Sequence, residues 1–160
     1  MGKPLAILAL LAGIVALVAV PPLQTAMNHS KQKRTTADIR AVATAWEARA
    51  EITKRYTLGP RQRNLAAVDD EHLPWSAMPE VSAADLKRAL VPTYIRQLPE
   101  VDGWGHPLQF RATDDSYAIR SLGRDGRPEA VTTYQAGVAT TFDEDLVLAN
   151  GVFVRRPEGM

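Results

Sequence analysis

The chain opens on an apolar run, LAILALLAGIVALVAVPPL (Leu5–Leu23), and no formal charge stands between Lys3 and Lys31. About 20 apolar residues rising ~1.5 Å each match the ~30 Å hydrocarbon core of a bilayer. The run passes without a stop signal into TAMNHSKQKRTTADIRAVATAWEARAEITKRY, where the pattern turns amphipathic. Ile39, Val42, Ala43, Trp46 and Ala50 fall at i, i+3, i+4, i+7 and i+11, one face of a helix. Together the two parts predict one rod of roughly 75–80 Å. The stripe begins well after the apolar run ends, so an exposed neck is expected between anchor and head. Arg34–Asp38 and Glu51–Arg55 are opposite charges four apart, each adding a few tenths of a kcal/mol. Pro21 and Pro22 lack the amide hydrogens that would reach the carbonyls of Leu17 and Val18, and Gly13 is a second weak point. A kinked anchor and a segment that unwinds when copies pack are both consistent with this.

Beyond Tyr56 the pattern shortens. Gly59-Pro60 predicts the end of the helix, and Arg61–Pro79 reads as a loop with at most a short turn, His72 being solvated within it. Ser82-Ala-Ala-Asp85 resembles a capping box opening a short helix, with Leu86, Leu90 and Val91 on its apolar face. PTYIRQLP reads as one more helical turn. PLQFR (107–111) and SYAIRS (116–121) alternate as strands, and LVLA-Asn150-Gly151-VFVR is a strong hairpin signal. Between them runs a loop from Leu122 to Phe142, too long to be idle unless something holds it. The expected fold class is α+β: a long N-terminal helix, transmembrane then amphipathic, packed on a small antiparallel β-sheet head. Its parts are 1–23 in the membrane, 24–56 as the rest of the helix, and 57–160 as the head, with Trp46 in its core.

Charge sharpens the division. Up to Tyr56 there are eight Lys/Arg against three Asp/Glu, and in the remainder eleven against fifteen. A basic stem thus carries an acidic head. Lys31, Lys33 and Arg34 suit anionic lipid headgroups at about 1 kcal/mol per charge, and no nucleic-acid partner is expected. By charge counting alone that flank would face the cytoplasm. Cysteine is absent, which excludes disulfides and thiolate metal sites and leaves a bound metal ion as one candidate staple. The apolar run is longer than a secretory h-region and no A-x-A site with a polar mature start follows, so retention is expected.

Two acidic points could carry chemistry. Asp125-Gly126 follows a strand, and Phe142-Asp143-Glu144-Asp145 precedes the last hairpin. Folded together, their carboxylates and loop carbonyls would make the hard oxygen cage that calcium prefers. The alternative is that Asp125 caps a glycine turn while the acidic run is solvated. No G-x-S-x-G, HExxH, P-loop or GxGxxG occurs, His29, His72 and His106 lack ligand spacing, and Ser121 has no base placed beside it. An enzyme is therefore not expected.

As a set, these features resemble a known family. The apolar helix with Gly13 and Pro21 is similar to the type IV pilin-like N-terminus, and KQKRTTADIRAVATAWEA resembles a pseudopilin neck and docking helix. Leu98-Pro99 with Asp102-Gly103-Trp104-Gly105-His106-Pro107 resembles the LP–DPWG–P element of the type II secretion major pseudopilins, the G component. Tyr117-Ala-Ile-Arg-Ser-Leu-Gly-Arg-Asp-Gly126 matches their Y-x-I-x-S-x-G-x-D-G strand and loop, and FDEDLVLANGVFV resembles their terminal region.

The resemblance implies a type IV pilin-like fold and a filament subunit. It would sit in the inner membrane as a single-pass protein with its C-terminal head in the periplasm, opposite to the charge-counting orientation. Its partners would be copies of itself, other pseudopilins and the inner-membrane assembly platform. Leu5, Leu8, Gly13, Val15, Leu17, Pro21 and Pro22 would line the polymerisation helix, and Trp104 and Tyr117 would join Trp46 in the head core, Trp104 under the sheet. The implied calcium ligands are the Leu122 carbonyl, Asp125, and either Asp145 or Asp143. Three departures stand out. Pro4 falls where the family has Glu, with no leader or Phe around it. PEAVTTYQAGVATT replaces a shorter glycine-rich loop, and His106 stands where Asn is common. The first of these favours a non-polymerising, membrane-anchored calcium-binding adaptor or a minor type IV pilin-like protein.

Overall fold

A computed structural model describes residues 3–59, 68 and 72–159, with side chains from Pro22 onward. The first element is α1 (Lys3–Thr53). The side chains of Leu5, Leu8, Gly13, Val15, Leu17 and Pro21 lie outside the described residues. Pro22 lies within them and is exposed. Among the described residues no helix is long and apolar enough to cross a membrane. From Pro22 to Ser30 the helix is exposed apart from half-buried Asn28, which is the expected neck. Ile39, Val42, Ala43, Trp46 and Ala50 are all buried, so the stripe docks the head. Docking starts earlier than the apolar stripe, through buried Gln32, Thr35 and Thr36. The Thr35 and Thr36 hydroxyls donate to the carbonyls of Lys31 and Gln32, which lets these polar side chains be buried without an orphan donor.

The head follows as β1 (His72–Leu73), a 3₁₀ turn (Trp75–Ala77), β2 (Glu80–Val81), α2 (Ala83–Leu90), β3 (Gln109–Ala112), β4 (Tyr117–Ser121), β5 (Tyr134–Gln135), β6 (Gly137–Ala139), β7 (Leu146–Ala149) and β8 (Val152–Pro157). Six strands form one sheet in the order β2-β3-β4-β7-β8-β6. Every pair is antiparallel except β6 and β8, which run parallel. Strands β1 and β5 pair separately. Ser82 caps α2, its hydroxyl accepting from the Asp85 amide at 3.0 Å. The β7–β8 turn has φ 46° at Asn150 and 83° at Gly151, the positive pair a type I′ turn requires.

The head has three layers, not two. On one face Tyr117, Ile119, Leu146 and Leu148 pack with Trp46, Ile39 and the α2 leucines. On the other, Ala118, Val147 and Ala149 pack with Leu73, Trp75, Met78 and Tyr134. Strands β4 and β7 are thus buried on both sides, which is why LVLA is apolar without alternation.

Several expectations give way to tertiary contacts. The helix ends at Thr53, with Lys54 in the left-handed region (φ 55°), ahead of Gly59-Pro60. The early exit brings the Tyr56 carbonyl to the Trp46 indole N–H at 3.0 Å and the Thr57 hydroxyl to Asp114. Arg34–Asp38 pairs at 3.5 Å, but Glu51 pairs with Lys54, since Arg55 is past the helix and donates to the Gly59 carbonyl. His72 is exposed as expected, yet sits in β1. PTYIRQLP forms turns, with amides of Tyr94 and Ile95 returning to the Leu90 carbonyl. The loop Leu122–Phe142 contains β5 and β6.

Trp46 is fully buried between Phe110 and Tyr117, with ring centroids at 6.4 and 5.1 Å. Trp46→Ala is expected to cost about 3–5 kcal/mol, read by chemical denaturation of the full chain in detergent. Trp46→Phe, which keeps most of the volume and loses the indole N–H, should cost clearly less.

Candidate functional site

Three loops close on one short stretch of α1. The Asp102-Gly103-Trp104-Gly105 turn lies directly on the helix. The Gly103 amide donates to Thr35 Oγ1 at 2.8 Å, and the Trp104 indole N–H reaches Asn28 Oδ1 at 3.3 Å. A Cβ on Gly103 would stand 2.3 Å from the Lys31 carbonyl oxygen, so only glycine lets the turn approach this closely. Trp104 is accordingly half-buried against the neck of the helix and not under the sheet, because the turn that carries it is held to α1. Trp46 and Tyr117 are fully buried.

Asp102 organises the turn. It is 3 % exposed, and one carboxylate oxygen accepts from the amides of Trp104 and His106 at 2.9 Å each. The other oxygen accepts the Ser121 hydroxyl at 2.7 Å, and Ser121 Oγ in turn accepts from the Gly123 amide. Buried carboxylate charge is therefore spent on three donors from two loops. The His106 Nε2–H donates to the Arg124 carbonyl at 3.1 Å, since a carbonyl only accepts. The third loop meets the second through the Arg124 amide, which donates to the Phe142 carbonyl at 2.7 Å. Phe142 also meets His29 of α1 edge-on at 4.9 Å. Gly123 (φ 66°) would drive a Cβ to 2.7 Å from the carbonyls of Phe142 and Glu144.

So residues 122–126 and 142–145 do come together, but their carboxylates go to different partners. Leu122 is buried. Asp125 is exposed and accepts from the Arg127 amide at 2.9 Å, capping its own turn. Asp143 is gripped by Arg124 through two bonds of 2.7 and 2.6 Å. Asp145 is fully buried on the other side, accepting from the Tyr134 hydroxyl and the Glu129 amide, with Arg120 3.6 Å away. Its second oxygen has no hydrogen-bond partner, the one feature here that a cation would suit. A calcium cage needs six or more oxygens converging on one point, and these do not converge. The residues present do not fit the implied metal. Among the described residues no group of three or more His, Asp or Glu is placed to hold one.

The hydrogen bonds and charge of Arg124 lower the Asp143 carboxyl below its usual range. Burial raises that of Asp145, partly offset by the Tyr134 hydroxyl. Tyr117 is raised by burial, and also by the Glu47 carboxylate its hydroxyl meets at 2.6 Å. Arg120, Arg124, Glu129, Tyr134 and Thr35 were not singled out by spacing. The available signal was Arg120 itself, a charge in SYAIRS on the face opposite Tyr117 and Ile119.

What fold and junction define is an α+β head held on a long helix, with its loops closed against that helix at one end. Compared with known family models, curated proteins and solved structures, the chain matches none.

Asp102→Ala leaves three donors without their acceptor and is expected to cost about 3 kcal/mol by denaturation. Asp143 should contribute acid sensitivity. Its folded-state value lies below its unfolded one, so its stabilisation is present above about pH 4 and is lost as pH falls through the folded value. In Asp143→Asn the stability–pH curve below about pH 4 should be flatter than in the wild type.

Proposed function

We propose that this chain is a structural subunit of a type II secretion pseudopilus. In this reading residues 1–23 anchor it in the inner membrane with the head in the periplasm. It polymerises through the apolar helix, alongside other pseudopilins and the assembly platform, to drive protein export across the outer membrane. The observation that carries the proposal is the closure of the Asp102–Gly105 turn on α1 between Asn28 and Thr35, with the Ser121–Gly126 loop bonded to that turn through Asp102. These are two of the segments whose sequences resemble the family, and they meet where the helix leaves the head. A subunit that is pulled from a membrane and packed by its helix needs its head fixed to that helix at this end. The described helix also extends past this junction as an exposed stretch, Pro22–Met27, with Leu23 and Met27 available to neighbouring subunits.

A second reading, a membrane-anchored adaptor or minor pilin-like protein that does not polymerise, is favoured by Pro4 at the position of the family's Glu. Without that acid a buried N-terminal amine in the filament core has no counter-charge. Negative-stain electron microscopy of cells overproducing the full chain separates the two. Thin fibres that react with an antibody to the head are expected; membrane-bound monomers without fibres would support the adaptor instead.

A further inference from the structure

The loop between β4 and β7 is held by a buried cation that the chain supplies itself. Arg120 is 6 % exposed, an unusual place for a guanidinium. Its Nε donates to Gln109 Oε1 at 2.9 Å and its Nη1 to the Tyr134 hydroxyl at 2.8 Å. Its carbon centre lies 4.3 Å from the Trp75 ring centroid, and Nη1 stands 3.6 Å from Asp145 Oδ2. The Tyr134 hydroxyl donates its own hydrogen bond to that same oxygen. One planar cation thus joins β3, β5, the residue that leads into β7 and the Trp75 turn, using the fork of fixed donors that distinguishes arginine from a spherical ion.

The neighbourhood leaves little for a divalent ion to add. Asp145 shares its site with Glu129, whose amide donates to Oδ2 and whose carboxylate accepts the Asp145 amide at 3.1 Å. Glu129 and Glu144 are both within ion-pair distance of Arg155. Asp143, the other acid in reach of the loop, is taken by Arg124. Glu129, Asp143, Glu144 and Asp145 thus each face an arginine, while exposed Asp125 accepts from its own turn, and a calcium ion beside Asp145 would meet the like charge of Arg120. We infer that Arg120 fills the structural role of the calcium ion that the sequence resemblance implies, so that the head is stapled by its own guanidinium and does not respond to divalent metal. This holds whether or not the chain polymerises.

The test is thermal unfolding of the full chain in detergent, followed by circular dichroism with millimolar calcium or with EGTA. The two melting temperatures should agree within about 1 °C, whereas an ion bound at a hundredfold over its Kd would raise the value by roughly 10 °C. Arg120→Met should lower it by roughly 10 °C or more, because Asp145 is left buried without its cation. The double variant Arg120→Gln with Asp145→Asn, which removes both charges, should recover a substantial part of that loss. A rise of several degrees on adding calcium to the wild type would overturn the inference, and that measurement needs no variant to fold. Arg120→Met melting within about 2 °C of the wild type would overturn it as well. Neither result bears on whether fibres form.

Discussion

One stripe of one helix has to be kept from water, and the rest of the head is arranged to cover it. Ile39, Val42, Ala43, Trp46 and Ala50 have no way to be buried by α1 itself, so the sheet lies across them. The demand of the largest side chain reaches furthest. The Trp46 ring fills the space between Phe110 and Tyr117, and its N–H needs an acceptor in an otherwise apolar place. The Tyr56 carbonyl provides it, which requires the chain to leave the helix early through the left-handed Lys54. Tyr117 has the same problem with its hydroxyl and solves it on the helix, at Glu47.

At the neck end the helix face is no longer apolar, and docking is done by hydrogen bonds. Thr35 donates to its own helix and accepts from Gly103, while Asn28 receives the Trp104 indole. Asp102 then links this turn to the Ser121–Gly123 loop. A polar junction of this kind gives little net stability compared with the apolar stripe, but it is directional. It fixes the rotation of the head about the helix, which a stripe of aliphatic side chains fixes less sharply. For a subunit that packs by its helix, that rotation sets which face of the head neighbouring copies would meet.

The second core, on the far side of the sheet, carries the buried ions. Once Trp75, Met78 and Tyr134 cover β4 and β7, Arg120 and Asp145 have lost their water and must satisfy each other and their neighbours. They nearly do. One oxygen of Asp145 and the Nε of neighbouring Arg155 are left without a hydrogen-bond partner, and burial raises the affinity of the Asp145 carboxyl for a proton.

Local pattern was enough for the elements whose side chains answer to their own neighbours in sequence. The α1 stripe, the Ser82 cap, the β3–β4 pair and the Asn150-Gly151 turn were all legible, because periodicity, a cap and positive φ are properties of a few adjacent residues. The approach of Asp125 to the 142–145 run was visible as a long loop needing an anchor, but not which groups would join. Trp104 could be counted as a large apolar residue, yet its place against Asn28 follows from Gly103 allowing a turn to touch the helix 68 residues away. Strands β5 and β6 and the third layer were hidden, since short strands draw their stability from partners far along the chain. What the sequence alone determined is a long helix with one face to cover and a β-rich remainder to cover it. Only the tertiary structure decided that Asp143 and Asp145 would meet arginines while Asp125 caps its own turn, because which charges meet after water is excluded depends on distances that no spacing along the chain encodes.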